Sequence, residues 1–212
     1  MKRNAFLIIE LLAVFGAIPL LIYVRVLPNW PIPFLLLVAG WAFLMLRRDA
    51  TFDMAGMFRF SGVGAGIRPL LLRDVLLMAA LGLVVWWFRP DLLFSLLKRS
   101  PAFWALIMVA YPLISVFPQE VLFRGYFFQR YRGLLGNGWR MVAASALAFG
   151  WVHIIFGNWV SVALTAFGGV LFAMTYQRSG SLMLVCLEHA LFGNFIFTIG
   201  IGRFFVPGAR HL

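Results

Sequence analysis

Acidic residues are scarce in this 212-residue chain: seven Asp and Glu stand against 18 Lys and Arg, and charged residues make up only 12% of it. Cysteine is scarcer still. Cys186 stands alone inside an apolar run, which excludes an intramolecular disulfide and any zinc site built on Cys; it reads as a small buried apolar residue. Several chemistries are missing their marks. There is no H-E-x-x-H helix of a zinc metalloprotease and no G-x-S-x-G nucleophile elbow. Ser145, Ser161 and Ser181 have no such context, and the G-x-G-D of intramembrane aspartyl proteases is absent. No Ser-rich or charged linker and no internal repeat divides the chain, so residues 1–212 are expected to form a single membrane domain.

What is abundant is apolar surface. The chain is 63% hydrophobic, against about 45–50% in soluble domains. A water-soluble core of this size cannot hide so much, whereas lipid can. Seven apolar runs approach the roughly 20 residues a membrane span needs. They cover about Ala5–Val26, Pro31–Leu46, Leu70–Phe88, Ala102–Phe128, Met141–Phe156, Trp159–Tyr176 and Leu182–Gly202. The expected fold class is an all-α polytopic transmembrane helical bundle of about seven spans, with six to eight allowed. The second and fifth runs are short. The fourth is long and carries Pro112 and Pro118, so it is expected to kink or divide. Met1-Lys2-Arg3 before an apolar run imitates a secretory signal, but the run is long and lacks a cleavage site, which favours an uncleaved first span. Thr51–Arg68, with Gly56, Gly62, Gly64 and Gly66, reads as a glycine-rich loop; G-V-G-A-G follows no strand and precedes no Lys-Ser/Thr, which disfavours a phosphate-binding loop.

The net charge of +11 does not point to nucleic acid, because the basic residues lie between apolar runs and form no solvated face. With the N-terminus in the cytoplasm, the inner side holds twelve basic residues, among them Arg47, Arg48, Arg59, Arg73, Arg124 and Arg140. The outer side holds six: Arg25, Arg89, Lys98, Arg99, Arg203 and Arg210. That bias matches the positive-inside rule. Trp30, Trp86, Trp87 and Trp139 suit interfacial belts, and Phe123, Phe127 and Phe128 suit lipid contact.

Ionisable groups at membrane depth cost ~2.5–3.5 kcal/mol or more each and tend to be functional. Asp49, Asp53, Asp74 and Asp91 fall in loops or at span ends; Glu10, Glu120 and Glu188 fall inside apolar runs, as do His153 and His189, with His211 in the tail. Glu120 and Arg124 are four apart and share a helix face; so do Phe149 and His153. Glu188 and His189 are neighbours on different faces. Glu10 stands alone in the first run and reads as paired or interfacial. Two histidines and two carboxylates from three spans are expected to converge, since in lipid each needs a partner. Such a set suits two schemes. Glu120, His153 and His189 would form a zinc shell with an open position, or a carboxylate would activate water while imidazoles or amides steady the oxyanion.

Three blocks then carry a resemblance. Gln119-Glu120-Val121-Leu122-Phe123-Arg124-Gly125 is similar to Glu-Glu-x-x-x-Arg, Phe149-Gly150-Trp151-Val152-His153 matches Phe-x-x-x-His, and Glu188-His189-Ala190-Leu191-Phe192-Gly193-Asn194 is similar to His-x-x-x-Asn/Asp. In this order they resemble the CAAX-protease and bacteriocin-processing (CPBP) intramembrane proteases, related to the type II CAAX prenyl endopeptidases, over a core at 112–205. The resemblance implies an endopeptidase acting on a membrane-associated CAAX-like, leader or bacteriocin-type peptide, in a bacterial cytoplasmic (inner) membrane. It assigns Glu120, Arg124, His153 and His189 to the site. Two departures stand out. Gln119 occupies the position of the glutamate usually assigned to water activation, so Glu120 or the extra Glu188 is expected to supply the base. Asn194 lies five residues after His189, about 140° off its face on an ideal helix, unless Gly193 permits a bulge; it is the weaker oxyanion-donor candidate. Other readings are an inactive immunity or scaffold protein, a proton-coupled transporter, and a purely structural membrane subunit.

Overall fold

The computed structural model describes residues 2–59 and 63–206; Gly62, Arg210 and His211 lie outside them. Most of the described residues are helical, and none is in a strand. Six helices are long and apolar enough to cross a membrane: α1 Lys2–Tyr23, α2 Pro31–Arg48, α3 whose apolar part is Ile67–Phe88, α4 Pro101–Leu135, α5 Trp139–Phe156 and α6 Trp159–Ser179. A seventh apolar helix, α7 Leu182–Thr198, has 17 residues, at the short end of what spans a bilayer. These seven coincide with the seven apolar runs.

Local chemistry sets the helix ends. Proline opens α2 and α4, where its missing N–H is no loss. Asn158 and Ser181 cap α6 and α7 by accepting from the N–H of Ser161 and Leu184. Gly157 and Gly180, at φ +75° and +65°, take the left-handed conformation that ends α5 and α6.

The long fourth run does not divide. It is one 35-residue helix, about 50 Å long at 1.5 Å per residue, and it carries two π-helical stretches, Pro112–Val116 and Val121–Tyr126. The wider turns absorb the proline misfit without breaking the helix, so an eighth span is not formed. The glycine-rich stretch is a loop only in part: α3 starts at Val63 and passes through Pro69. Asp74 and Arg73 are therefore inside a helix, and Asp74 is fully buried.

The molecule is polar at its centre and apolar outside, as a bundle in lipid must be. Trp30, Trp86, Trp87 and Trp139 are exposed, while Glu120, Arg124, Glu188 and His189 are buried. Phe123 and Phe127, expected at the lipid face, are instead interior: both pack edge-on against Phe15 of α1, with ring centroids 5.5 and 5.1 Å away. Their burial follows from the position of α4, which runs through the middle of the bundle between α1, α2, α5 and α7. Glu10 is not alone. Arg130 donates to it at 2.9 and 2.5 Å, and the hydroxyls of Tyr126 and Tyr131 donate at 3.1 Å, pinning α1 to the end of α4.

Helices α5 and α6 approach most closely through small residues. A Cβ added at Gly150 would sit 2.7 Å from the Cβ of Ala166, and one at Gly169 would meet the Cα of Ala146 at 3.0 Å. Such close contact is how helices associate where lipid supplies no hydrophobic drive. Gly150→Val should separate this pair and lower stability by about 1–3 kcal/mol, read as a fall in thermal unfolding temperature in detergent.

Candidate active site

Three helices, α4, α6 and α7, build one connected polar chain, and α5 adds rings and a second histidine beside it. The centre is Glu120 on α4, wholly buried. One turn on, Arg124 donates from Nη1 to Glu120 Oε1 at 3.2 Å, with its Nε 3.1 Å from Oε2 but not aligned for a hydrogen bond. The guanidinium also donates to the Gly169 carbonyl of α6 at 3.2 Å and lies over the rings of Phe149 and Phe172, at 4.6 and 5.5 Å. A buried cation thus has a carboxylate, a carbonyl and two π faces around it.

On the other side, His189 Nδ1 is 2.6 Å from Glu120 Oε1, and its Nε2 is 3.0 Å from the Tyr111 hydroxyl. The carboxylate, salt-bridged to Arg124, is an acceptor, so Nδ1 carries the hydrogen. Nε2 is then a lone pair that accepts from the Tyr111 O–H. The imidazole is stacked on Phe172 at 4.6 Å and 21°, which fixes its plane.

His153 closes α5. Its Nδ1 is 2.6 Å from the Phe149 carbonyl. A carbonyl only accepts, so this nitrogen also carries the hydrogen and Nε2 of the neutral ring has none. Neither imidazole in its neutral form therefore offers an N–H to an oxyanion. The Phe149 ring lies 4.9 Å from His153 and 5.5 Å from His189; the two imidazoles flank a single phenyl ring.

Both histidines line a cavity of about 620 Å³. Tyr111, Ser115, Gln119 and Thr165 add the other polar groups, and apolar side chains from all seven helices form the rest. Phe103, Leu106, Ile114 and Phe167 line it and are also exposed on the outer faces of α4 and α6, so the cavity opens sideways. Gln119 lines the wall, its amide nitrogen donating to the carbonyl and hydroxyl of Ser115 at 3.1 and 2.8 Å.

The other candidates lie elsewhere. Neither Glu120 nor Glu188 lines the cavity. Glu120 stands behind His189. Glu188 turns away from its neighbour and pairs with Arg73 of α3, which also donates to Asp74 at 2.9 and 2.7 Å. Two carboxylates so share one guanidinium. Arg124 is at the bundle centre rather than near a span end. Asn194 donates to the Met108 carbonyl at 3.1 Å and is absent from the cavity wall; α7 is α-helical throughout, with no bulge at Gly193. Gly193 has a different use: a Cβ there would lie 2.2–2.5 Å from the Tyr111 ring.

Sequence reasoning missed Tyr111, Ser115 and Arg73. Tyr111 lies unmarked inside the fourth apolar run, and Arg73 counts only among the inner-side basic residues. For zinc the donor set does not fit: among the described residues no three His, Cys, Asp or Glu side chains are grouped to hold a metal ion. Glu120 is engaged with Arg124 and His189, which leaves two imidazoles where a catalytic zinc takes about three protein ligands.

Fold and site together define a polytopic membrane protein in which a buried carboxylate backs an imidazole–phenol pair on the wall of an apolar, laterally open cavity. Residues 101–195 match the family described as Type II CAAX prenyl endopeptidase Rce1-like. No curated protein and no solved structure matches the chain. The matched stretch contains every residue from Tyr111 to His189 described above, so it is the site-bearing part of the chain that is similar to this family.

Arg124→Ala should leave Glu120 buried without its cation and cost about 3–5 kcal/mol, measured by thermal unfolding; Arg73→Ala, at a partly exposed site, should cost less.

Proposed function

We propose that the protein is an intramembrane endopeptidase in which His189, backed by Glu120, is the general base. The observation that carries this is the ordered hydrogen-bond chain: Arg124 holds Glu120, Glu120 takes the Nδ1–H of His189, and Nε2 is left with a lone pair against the Tyr111 hydroxyl, both residues lining the cavity. The same carboxylate–imidazole logic serves where a base must be held in one tautomer. It supplies the proton acceptor that Gln119 cannot, and does so without a carboxylate on the cavity wall.

In the proposed step a water takes the Tyr111 hydroxyl's place at Nε2. Its oxygen attacks the scissile carbonyl carbon as its proton passes to Nε2. The carbonyl π pair becomes the oxyanion. On collapse the C–N bond breaks, and the leaving amine takes the proton back from Nε2–H, restoring neutral His189. Glu120 stabilises the imidazolium between the two transfers. The Gln119 carbonyl accepts from the water and orients it. The substrate suited to the cavity is a peptide whose cleavage region is apolar or carries an apolar group, reaching the site through the lipid-facing mouth.

Gln119 itself favours a second reading, a binding protein of the same fold that holds such a peptide uncleaved. Purified protein in detergent or liposomes, given membrane-anchored model peptides and followed by mass spectrometry, separates the two. Hydrolysis is expected to fall about 10²–10⁴-fold in His189→Ala and Glu120→Gln, to persist in Glu188→Gln, and to be insensitive to chelators. Binding of intact peptide without any product establishes the second reading. Loss of activity in Glu188→Gln in a protein of unchanged stability moves the base to Glu188.

A further inference from the structure

We infer that Tyr111 is the oxyanion donor of this site; the inference rests on the hydrolytic reading above. Its starting point is a shortage. A tetrahedral intermediate needs hydrogen-bond donors about 2.7–3.1 Å from the new oxyanion, and the polar groups on the cavity wall have spent theirs. The Nδ1–H of His153 is given to the Phe149 carbonyl, and that of His189 to Glu120. The Thr165 hydroxyl donates to the Ser161 carbonyl at 2.6 Å, and the Gln119 amide donates to Ser115. Asn194, the amide expected from the sequence, is off the wall and bound to Met108.

Two O–H groups remain, on Tyr111 and Ser115. Of these, only Tyr111 contacts the base, its hydroxyl 3.0 Å from Nε2. A water that displaces it leaves the phenol O–H without an acceptor, beside the carbonyl under attack. The donor is thus released by the event that loads the nucleophile.

The surroundings hold Tyr111 for that task. Its ring is edge-on to Phe197 at 5.3 Å and to His189 at 6.0 Å. Gly193 gives it room where any side chain would collide. Tyr111 immediately precedes the Pro112–Val116 π-helical stretch, so it borders the widened part of α4. A phenol also suits an apolar site, since it donates strongly without bringing a permanent charge into lipid.

The experiment compares wild type, Tyr111→Phe, Ser115→Ala and Tyr126→Phe. The last removes a buried hydroxyl from the Glu10 cluster and controls for loss of one hydrogen bond. Steady-state hydrolysis is paired with binding of a phosphinate analogue of the substrate peptide, whose tetrahedral anion needs the donor but no turnover. Tyr111→Phe should lower kcat about 10²–10³-fold with KM within a few-fold, and weaken phosphinate binding while leaving binding of uncleaved peptide unchanged. Tyr111→Phe with wild-type or faster kcat and equal phosphinate affinity overturns the inference and makes Tyr111 a cap that competes for Nε2. A loss confined to Ser115→Ala overturns it as well. Should wild type hydrolyse no peptide, the hydrolytic reading falls separately, and equal phosphinate affinity in wild type and Tyr111→Phe then removes Tyr111 too.

Discussion

The buried Glu120–Arg124 pair is the constraint on which the site depends. An ion pair one helical turn long, out of reach of water, can persist only if its remaining polar valences are met. The structure meets most of them with material from three other helices, the Gly169 carbonyl of α6, the Phe149 ring of α5 and the His189 ring of α7, and leaves Arg124 Nε and Glu120 Oε2 facing each other without an aligned hydrogen bond. Each partner is thereby also fixed. The stability problem of a charge in lipid and the positioning of the His189 imidazole have one solution, because the group that satisfies the carboxylate also lines the cavity.

From that follows a sense of direction in the whole network. A carboxylate can only accept, which makes one His189 nitrogen a donor and the other an acceptor, which makes the Tyr111 hydroxyl donate. The same elementary rule applied to the Phe149 carbonyl sets the His153 tautomer. Two imidazoles that look interchangeable in the sequence end with the same proton arrangement but different neighbours. One is backed by a negative charge, the other by a neutral carbonyl.

The apolar runs and the acids within them made the bundle and much of its polar centre legible in the sequence. Spacing carried Glu120 with Arg124, and Phe149 with His153, because four residues on a helix is a contact whatever the rest of the chain does. The remainder depends on which helices meet. The Arg73–Glu188 pair joins residues 115 positions apart, and no local pattern announces it. Asp74 was misplaced because glycines concealed a helix start at Val63. Tyr111 carries no signal in the sequence because only the packing of α4 against Gly193 brings it to His189. Asn194 shows the reverse case: the motif position suggested chemistry, while ideal helical geometry put it on another face.

The sideways opening of the cavity changes what concentration means for this protein. Whatever arrives between α4 and α6 travels within a sheet two molecules thick, so its abundance is counted per area of membrane, and encounter is set by diffusion in a plane. A peptide with a greasy anchor would be enriched there by partition alone, before any contact with the wall. Discrimination between candidates would then begin with how each sits in the bilayer, its depth and tilt, and only afterwards with the shape of the pocket.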